Sequence, residues 1–474
     1  MRLIEHSAVE LKRMMAAKEV SPVEVLEAFI GQIEKADTFL NAFTVTCFDE
    51  AREIARQAEA RIVQGDDIGL LEGLPVAIKD MNLTKGMRTT FGSPIYTDFV
   101  PDKDDLVVQF IRQAGAAICG KTNTTEFGAG NNTNNAVFGA TVNPFDHART
   151  SGGSSGGSAA ALAGNMVPLA TGSDTGGSLR VPATFCGVMS LKPTPGLIPF
   201  ERRTYPYWPF QMQGAMARCV DDVGLLVATM AQDHSIDPMC YPRDTNEFLN
   251  MQPVDLKSLR VAFSADLGFA PTSQMMRRTF NSRIAKFQDI FAKAELDQPN
   301  LTTAARVNWV IRGLQYLGSQ KEHYAEHRDK LGPNVLLNYE QALDLEVDDI
   351  VTAFTEHGNL HREMDRFFGD YDILICPGAT VSPFPKEDFY VETIDGVEQE
   401  TYVAWAGLTN ALSTTGNPVA CLPCGLDEEG MPFGFQIVGP RRSDPFLLRV
   451  AKSLEQVFAT DDDLKRPVAE IAMA

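Results

Sequence analysis

Apolar positions recur every three to four residues through most of residues 6–66, and this spacing predicts helices. Leu11, Met14 and Met15 share one face. Ser21 stands before PVEVLEAFIGQIEKA, with Pro22 at the first helical position and Glu24 three residues after the serine, a helix-start signature. A second amphipathic run, AREIARQAEARIVQG, ends at Gly65. After Gly73 the pattern changes. LPVAIKD and AAICGKT are short apolar runs between glycine-rich turns, and DDLVVQFIRQAG between them has helical spacing. That alternation predicts an α/β chain with largely buried strands. Further strands are expected at RVAFSA, DILICP, PVACLPCG and PFGFQIVG, and residues 270–368 read as mostly helical. Residues 195–215, rich in proline and aromatic residues, read as an ordered loop. The sequence has no internal repeat and no long low-complexity segment.

Composition narrows the class. With 474 residues, 44% hydrophobic and 22% charged, the chain is large enough to form a sizeable core as one unit. Acidic residues outnumber basic ones, 62 to 42, for a net charge of −20, which argues against nucleic acid or an anionic membrane as partner. MRLIEHSAVELKRMM has no apolar core or cleavage site of a signal peptide. The best candidate for a membrane span, AAALAGNMVPLATG, is short and contains Asn165 and Pro168. Eight scattered cysteines in mostly apolar surroundings read as reduced thiols of a cytoplasmic protein.

Several motifs fit a chemistry by letters alone. GAAICGKT (115–122) matches the phosphate-loop pattern, but Ala-Ala-Ile-Cys favours a strand over a loop of phosphate-facing amides. GGSSG (152–156) matches a nucleophile elbow centred on Ser154, yet the preceding NPFDHARTS does not read as the required strand. Cys421 and Cys424 have no second Cys or His pair at zinc spacing. His323/His327 and His357/His361 sit among charges and read as solvated helix faces. No metal site or cofactor is expected.

Two Gly/Ser knots remain, TSGGSSGGSAAA from Thr150 and TGSDTGGSLRVPA from Thr171. A linker would account for their composition, but an alanine-rich helix follows the first, and Asp174 and Arg180 bracket the second. Taken with GLPVAIKD (73–80), GKTNTTEFG, GSDTGGSLRVPATFCGVMSLKPTPG and the tail TTGNPVACLPCGLDEEGMPFGFQIVGP, they resemble the amidase signature family over essentially the whole chain. The resemblance is weakest at roughly 195–370. It implies one α/β domain over 1–474: a large twisted mixed sheet flanked by helices on both faces. Within it, 1–66 would be a helical N-terminal region, 67–230 the catalytic core, 231–370 a variable, mainly helical substrate region, and 371–474 the part completing the sheet.

The resemblance also implies a Ser–cis-Ser–Lys triad. Ser178 matches the nucleophile, Ser154 the bridging serine after a cis bond from Gly153, and Lys79 the base. The backbone amides of Thr175, Gly176, Gly177 and Ser178 would form the oxyanion hole. Ser155 would support the site by hydrogen bonding, although turn satisfaction alone would explain it equally well. Asp174 and Arg180 would brace the nucleophile turn, against the alternative of a plain surface ion pair. The residue types suit these roles. Serine is a weak nucleophile and needs a base within reach. Lysine serves as a base only when neutral, which burial favours. A bridging hydroxyl both donates and accepts, so it can pass a proton in each direction.

Tyr205, Tyr207, Trp208 and Phe210 follow the core, and aromatic residues with polar tips suit a pocket wall, though they would equally fill the core of a long loop. The expected reaction is hydrolysis of an amide C–N bond in an aryl or bulky apolar substrate. Carbamate (urethane) or ester hydrolysis shares the chemistry and stays open. So does the role of glutaminase component in a tRNA-dependent amidotransferase, although PGLIPFERRTYPYWPFQMQG departs from that subfamily's pattern. The expected partners are a small amide or carbamate substrate and, at most, a second copy in a homodimer.

Overall fold

The computed structural model describes residues 2–470. Its centre is an 11-stranded mixed sheet. In chain order the strands are β1 (Phe43–Thr46), β2 (Pro75–Lys79), β3 (Ala117–Thr122), β4 (Leu169–Asp174), β5 (Met189–Lys192) and β6 (Met212–Ala217). They continue with β7 (Arg260–Phe263), β8 (Lys293–Leu296), β9 (Ile373–Pro377), β10 (Val419–Leu426) and β11 (Pro432–Val438). Across the sheet the order is β1-β3-β2-β4-β6-β5-β10-β11-β9-β7-β8. Strand β2 runs parallel to both neighbours, pairing Val76 with Ile118 of β3 and with Leu169 of β4.

Both faces of the sheet are covered, so its central strands are apolar throughout rather than alternating. Successive residues of one strand enter opposite cores. Val76 and Ile78 pack with the helices Ala8–Ala16, Val220–Met230 and Asp444–Phe458, whereas Ala77 packs with Pro22–Leu40 and the alanine-rich helix Gly156–Ala163. At the far end Ala262, Leu374, Val419 and Val438 meet the helices Ala304–Ser319, Val347–Asp370 and Gly407–Thr414. Among the described residues no helix is long and apolar enough to cross a membrane.

The helix-start signal at Ser21 is realised: its side chain accepts from the Glu24 amide, and Pro22 opens the helix. The helix Phe48–Gln64 ends on Gly65 in the left-handed region, at φ 80°. The all-helical reading of residues 6–66 needs one correction. FTVT forms β1, whose β-branched residues pair with the sheet edge at β3. Residues 146–150, read as not strand-like, pair with Val142–Asn143 in a separate two-stranded ribbon. In the region 270–368, otherwise helical as expected, Lys293–Leu296 adds a largely exposed strand at the sheet edge. The loop read over 195–215 gives way to β6 at Met212.

Candidate active site

Lys79 is the last residue of β2, and the sheet buries it completely. Its amine stands 2.7 Å from Ser154 Oγ, 2.9 Å from Ser155 Oγ and 2.9 Å from Ser173 Oγ. An ammonium would donate to all three hydroxyls. A neutral amine has two N–H groups and one lone pair, so it donates to two and accepts from the third; either way every partner is satisfied. Burial pulls the amine down from its ordinary value to about 7, only partly opposed by the Asp174 charge. Two other lysines are equally buried but differently placed. Lys121 pairs with Asp80 at 3.1 Å, and Lys192 donates to the carbonyl of Asn417 at 2.7 Å. Neither meets a ring of hydroxyls.

The serines come from two turns. Ser154 follows a cis peptide bond from Gly153 and precedes the helix Gly156–Ala163. Ser178 lies between β4 and the helix Arg180–Cys186. The Ser155 amide donates to the Ser178 carbonyl at 3.1 Å, tying the two turns together. The Ser155 hydroxyl meets both Lys79 and, at 3.3 Å, the Ser173 amide. Ser154, Ser173 and Ser178 all line one cavity. The Ser178 hydroxyl makes no hydrogen bond to another described residue. Sequence reasoning misses Ser173, at the end of β4; its place in TGSD, five residues before Ser178, is the available signal.

Asp174 and Arg180 form a fully buried ion pair at 2.9 Å rather than a surface one. Burial works against ionisation of Asp174, but the guanidinium beside it and the Leu179 amide outweigh that cost and hold the carboxyl below its usual range. Asp174 also accepts from the amides of Gly177, at 2.8 Å, and Leu179, at 3.0 Å. Arg180 reaches on to Gln436 of β11 and to Ser413. The carboxylate therefore pins the turn from inside, and the guanidinium fixes the carboxylate to the sheet. This corrects the expected set of oxyanion donors: the Gly177 N–H is occupied by Asp174. The amides of Thr175, Gly176 and Ser178 have no acceptor among the described residues.

The cavity holds about 230 Å³. None of Tyr205, Tyr207, Trp208 and Phe210 lines it. Trp208 and Phe210 are buried in the core under the helices Ala304–Ser319 and Val347–Asp370, with Tyr205 packed against them and donating to the Leu314 carbonyl. Tyr207 is 77% exposed. The loop's aromatic residues are thus core filler and one surface residue. The cavity's aromatic wall is formed instead by Phe91, Tyr96, Phe127, Phe200, Tyr316 and His323. Phe127 stacks on His323, ring centroids 5.2 Å apart, and its amide donates to the Phe91 carbonyl at 2.8 Å. Phe91 and Phe127 have φ of 54° and 46°, a region that bulky side chains rarely occupy. Such strain persists where surrounding structure over-determines it, typically at ligand clamps.

The remaining motifs have structural places. GAAICGKT carries β3, in keeping with its strand-like residues. Cys421 and Cys424 lie buried on β10, and burial pushes the Cys421 thiol up to about 12. The histidine pairs correct the solvated reading. His323 bonds Tyr96 Oη and Gln320 Oε1, each at 2.9 Å, and burial lowers its basicity. His357 contacts the Thr414 carbonyl at 3.0 Å and stands 3.1 Å from His361.

Comparison with known proteins bears on this geometry. A family model described as Amidase matches residues 24–448. An acylamidase of Rhodococcus erythropolis is 31% identical, with 99% of this chain and 98% of the relative covered. The GatA-type component of a glutamyl-tRNA(Gln) amidotransferase from a Picosynechococcus strain is 32% identical, over 95% of this chain and 97% of the relative. The crystal structure of a bacterial aryl acylamidase of the amidase signature enzymes superposes with a TM-score of 0.88 at 26% identity, covering 95% of this chain and 96% of that one.

Proposed function

The chain belongs to the amidase signature family, hydrolases of amide C–N bonds, and from that premise we propose that it cleaves aryl or bulky apolar amides through an acyl-enzyme on Ser178. The observation that carries this reading is the Lys79 amine, buried, near neutrality and in contact with three serine hydroxyls. In the proposed cycle neutral Lys79 takes the proton of Ser154 as Ser154 takes that of Ser178. The Ser178 oxygen then attacks the amide carbonyl. Negative charge on the carbonyl oxygen falls to the unoccupied amides of the 175–178 turn, each such donor contributing about 3 kcal/mol to lowering the barrier. Collapse expels the amine, which takes its proton back through Ser154. Water repeats the sequence on the ester to release the acid and free Ser178.

The aromatic wall supports an aryl group on the substrate, as does the likeness to an aryl acylamidase. Carbamates and esters would follow the same route. The amidotransferase relative keeps a second reading open, a glutaminase component of a larger complex. The test is the purified lone chain on acetanilide and nitroacetanilide, with trapping of the acyl group by mass spectrometry. Acylation of the peptide containing Ser178, and its loss in Ser178→Ala with unchanged thermal melting, is expected. Turnover lost by on the order of 10⁴-fold or more would match removal of a serine nucleophile. Retained activity in Ser178→Ala overturns the assignment. Glutamine hydrolysis appearing only on addition of other amidotransferase components would favour the second reading.

A further inference from the structure

The chain carries 62 acidic residues against 42 basic ones, yet the cavity beside Ser178 is lined by no Asp or Glu and by two arginines, Arg202 and Arg312. Arg202 is committed to Asp105, through bonds of 2.8 and 2.7 Å. Arg312 has no such anion. It projects from the helix Ala304–Ser319 and is only 6% exposed. Its Nε donates to Asn338 Oδ1 at 2.8 Å and to Tyr402 Oη at 3.1 Å, and its Nη2 to the same phenol at 2.7 Å. These partners are neutral. Nη1 makes no hydrogen bond among the described residues. It lies beside the nucleophile turn, 3.5 Å from the point a Cβ on Gly176 would occupy. A guanidinium held out of water by neutral partners leaves most of its charge uncompensated, an arrangement that is costly unless an anion arrives.

Resting on the hydrolase reading above, we propose that the substrate is an amide bearing a free carboxylate, and that Arg312 Nη1 is the group that receives it. The guanidinium is planar and its fork matches a carboxylate, whereas the cavity has no lysine or second free cation to hold a dianion. The aromatic part of the substrate lies along Phe91, Phe127 and His323, and the carboxylate anchors near Gly176. Arg312 is then a specificity-determining residue. It touches neither the nucleophile nor the base in its hydrogen bonds.

The test compares matched anilides with the wild-type protein. Succinanilic acid against butyranilide places the carboxylate on the acyl side; 4-acetamidobenzoic acid against acetanilide places it on the amine side. In one pair the acid is expected to exceed its neutral counterpart in kcat/KM by about tenfold or more, the usual scale of a charge-assisted hydrogen bond. The pair that shows this identifies the side. Arg312→Met is expected to bring the ratio near one, and Arg312→Lys to keep part of it. Equal rates within both pairs for the wild type overturn the inference and leave the hydrolase reading standing. Calorimetric titration of Ser178→Ala with all four compounds supplies a readout without turnover. Tighter binding of an acid supports the carboxylate site even where no anilide is cleaved, and equal or absent binding of acid and neutral forms refutes it. The wild-type comparison does not depend on whether Arg312→Met folds.

Discussion

The amine of Lys79 stands 2.7 Å from the hydroxyl of Ser154, in a setting where the other two partners of that amine are also hydroxyls. No carboxylate bonds it, so the charged form gains nothing that the neutral form lacks except water it cannot reach. This arrangement favours a base over a structural cation.

A pH dependence is expected from it. Because burial lowers the Lys79 amine to about 7, the neutral form predominates above that value and is lost below it. The rate constant kcat/KM on a neutral anilide is therefore expected to rise through about pH 7 and level off on the alkaline side. Lys79→Arg, which keeps the charge but cannot lose a proton, is expected to be as inactive as Lys79→Ala. A rate that is flat down to pH 5, or an active arginine variant, would exclude lysine as the base.

Breaking the Asp174–Arg180 pair is expected to be expensive. Both side chains are fully buried, so Asp174→Asn strands the guanidinium beside a neutral amide and loosens the grip on the Gly177 and Leu179 amides. A loss of about 3–5 kcal/mol in denaturant unfolding is expected, together with a fall in kcat. Unaltered stability would show that the pair bears no weight in the fold.

Gly177 has φ of 120°, and a Cβ there would collide with the Thr409 side chain. Gly177→Ala is expected to displace the turn carrying the proposed nucleophile. The measurement is kcat against KM on one anilide, with kcat falling far more than KM changes. An alanine variant with native kcat would contradict the tight fit of this turn.

The aromatic wall gives a paired test. Phe127→Ala removes one face of the cavity and is expected to raise KM for anilides, while Tyr207→Ala, far out in solvent, is expected to leave kcat and KM unchanged. The reverse pattern would restore the loop tyrosine as a binding residue.

The chemistry-bearing turns are legible because they are local: AIKD, GGSSGG and TGGSLR each compress a constraint into a few letters. The substrate wall is not. His323 and Arg312 sit on helices whose spacing announces only amphipathicity, and their inward direction is set by packing against elements far away in sequence, Tyr96 and Tyr402 among them. Phe91 and Phe127 defeat propensity outright, since nothing about phenylalanine suggests a positive φ. Trp208 and Phe210 mislead for the complementary reason: a Pro/aromatic loop near the core can be bound inward as readily as it can face a ligand, and burial against the helix Val347–Asp370 decides it. Strand β1 is hidden because four residues are too few to interrupt a helical reading.

Lys79 and Asp174 end two parallel neighbours, β2 and β4, joined by a crossover that spans most of the residues between them; the Lys79 amide reaches Thr171 Oγ1 across a separation of 92 positions. Adjacent parallel strands register only after the whole intervening stretch has been threaded and closed, an event slow compared with helix formation. Recovery of turnover after dilution from denaturant therefore clocks the zipping of the sheet's middle, lagging the far-ultraviolet dichroism of the helices that flank it.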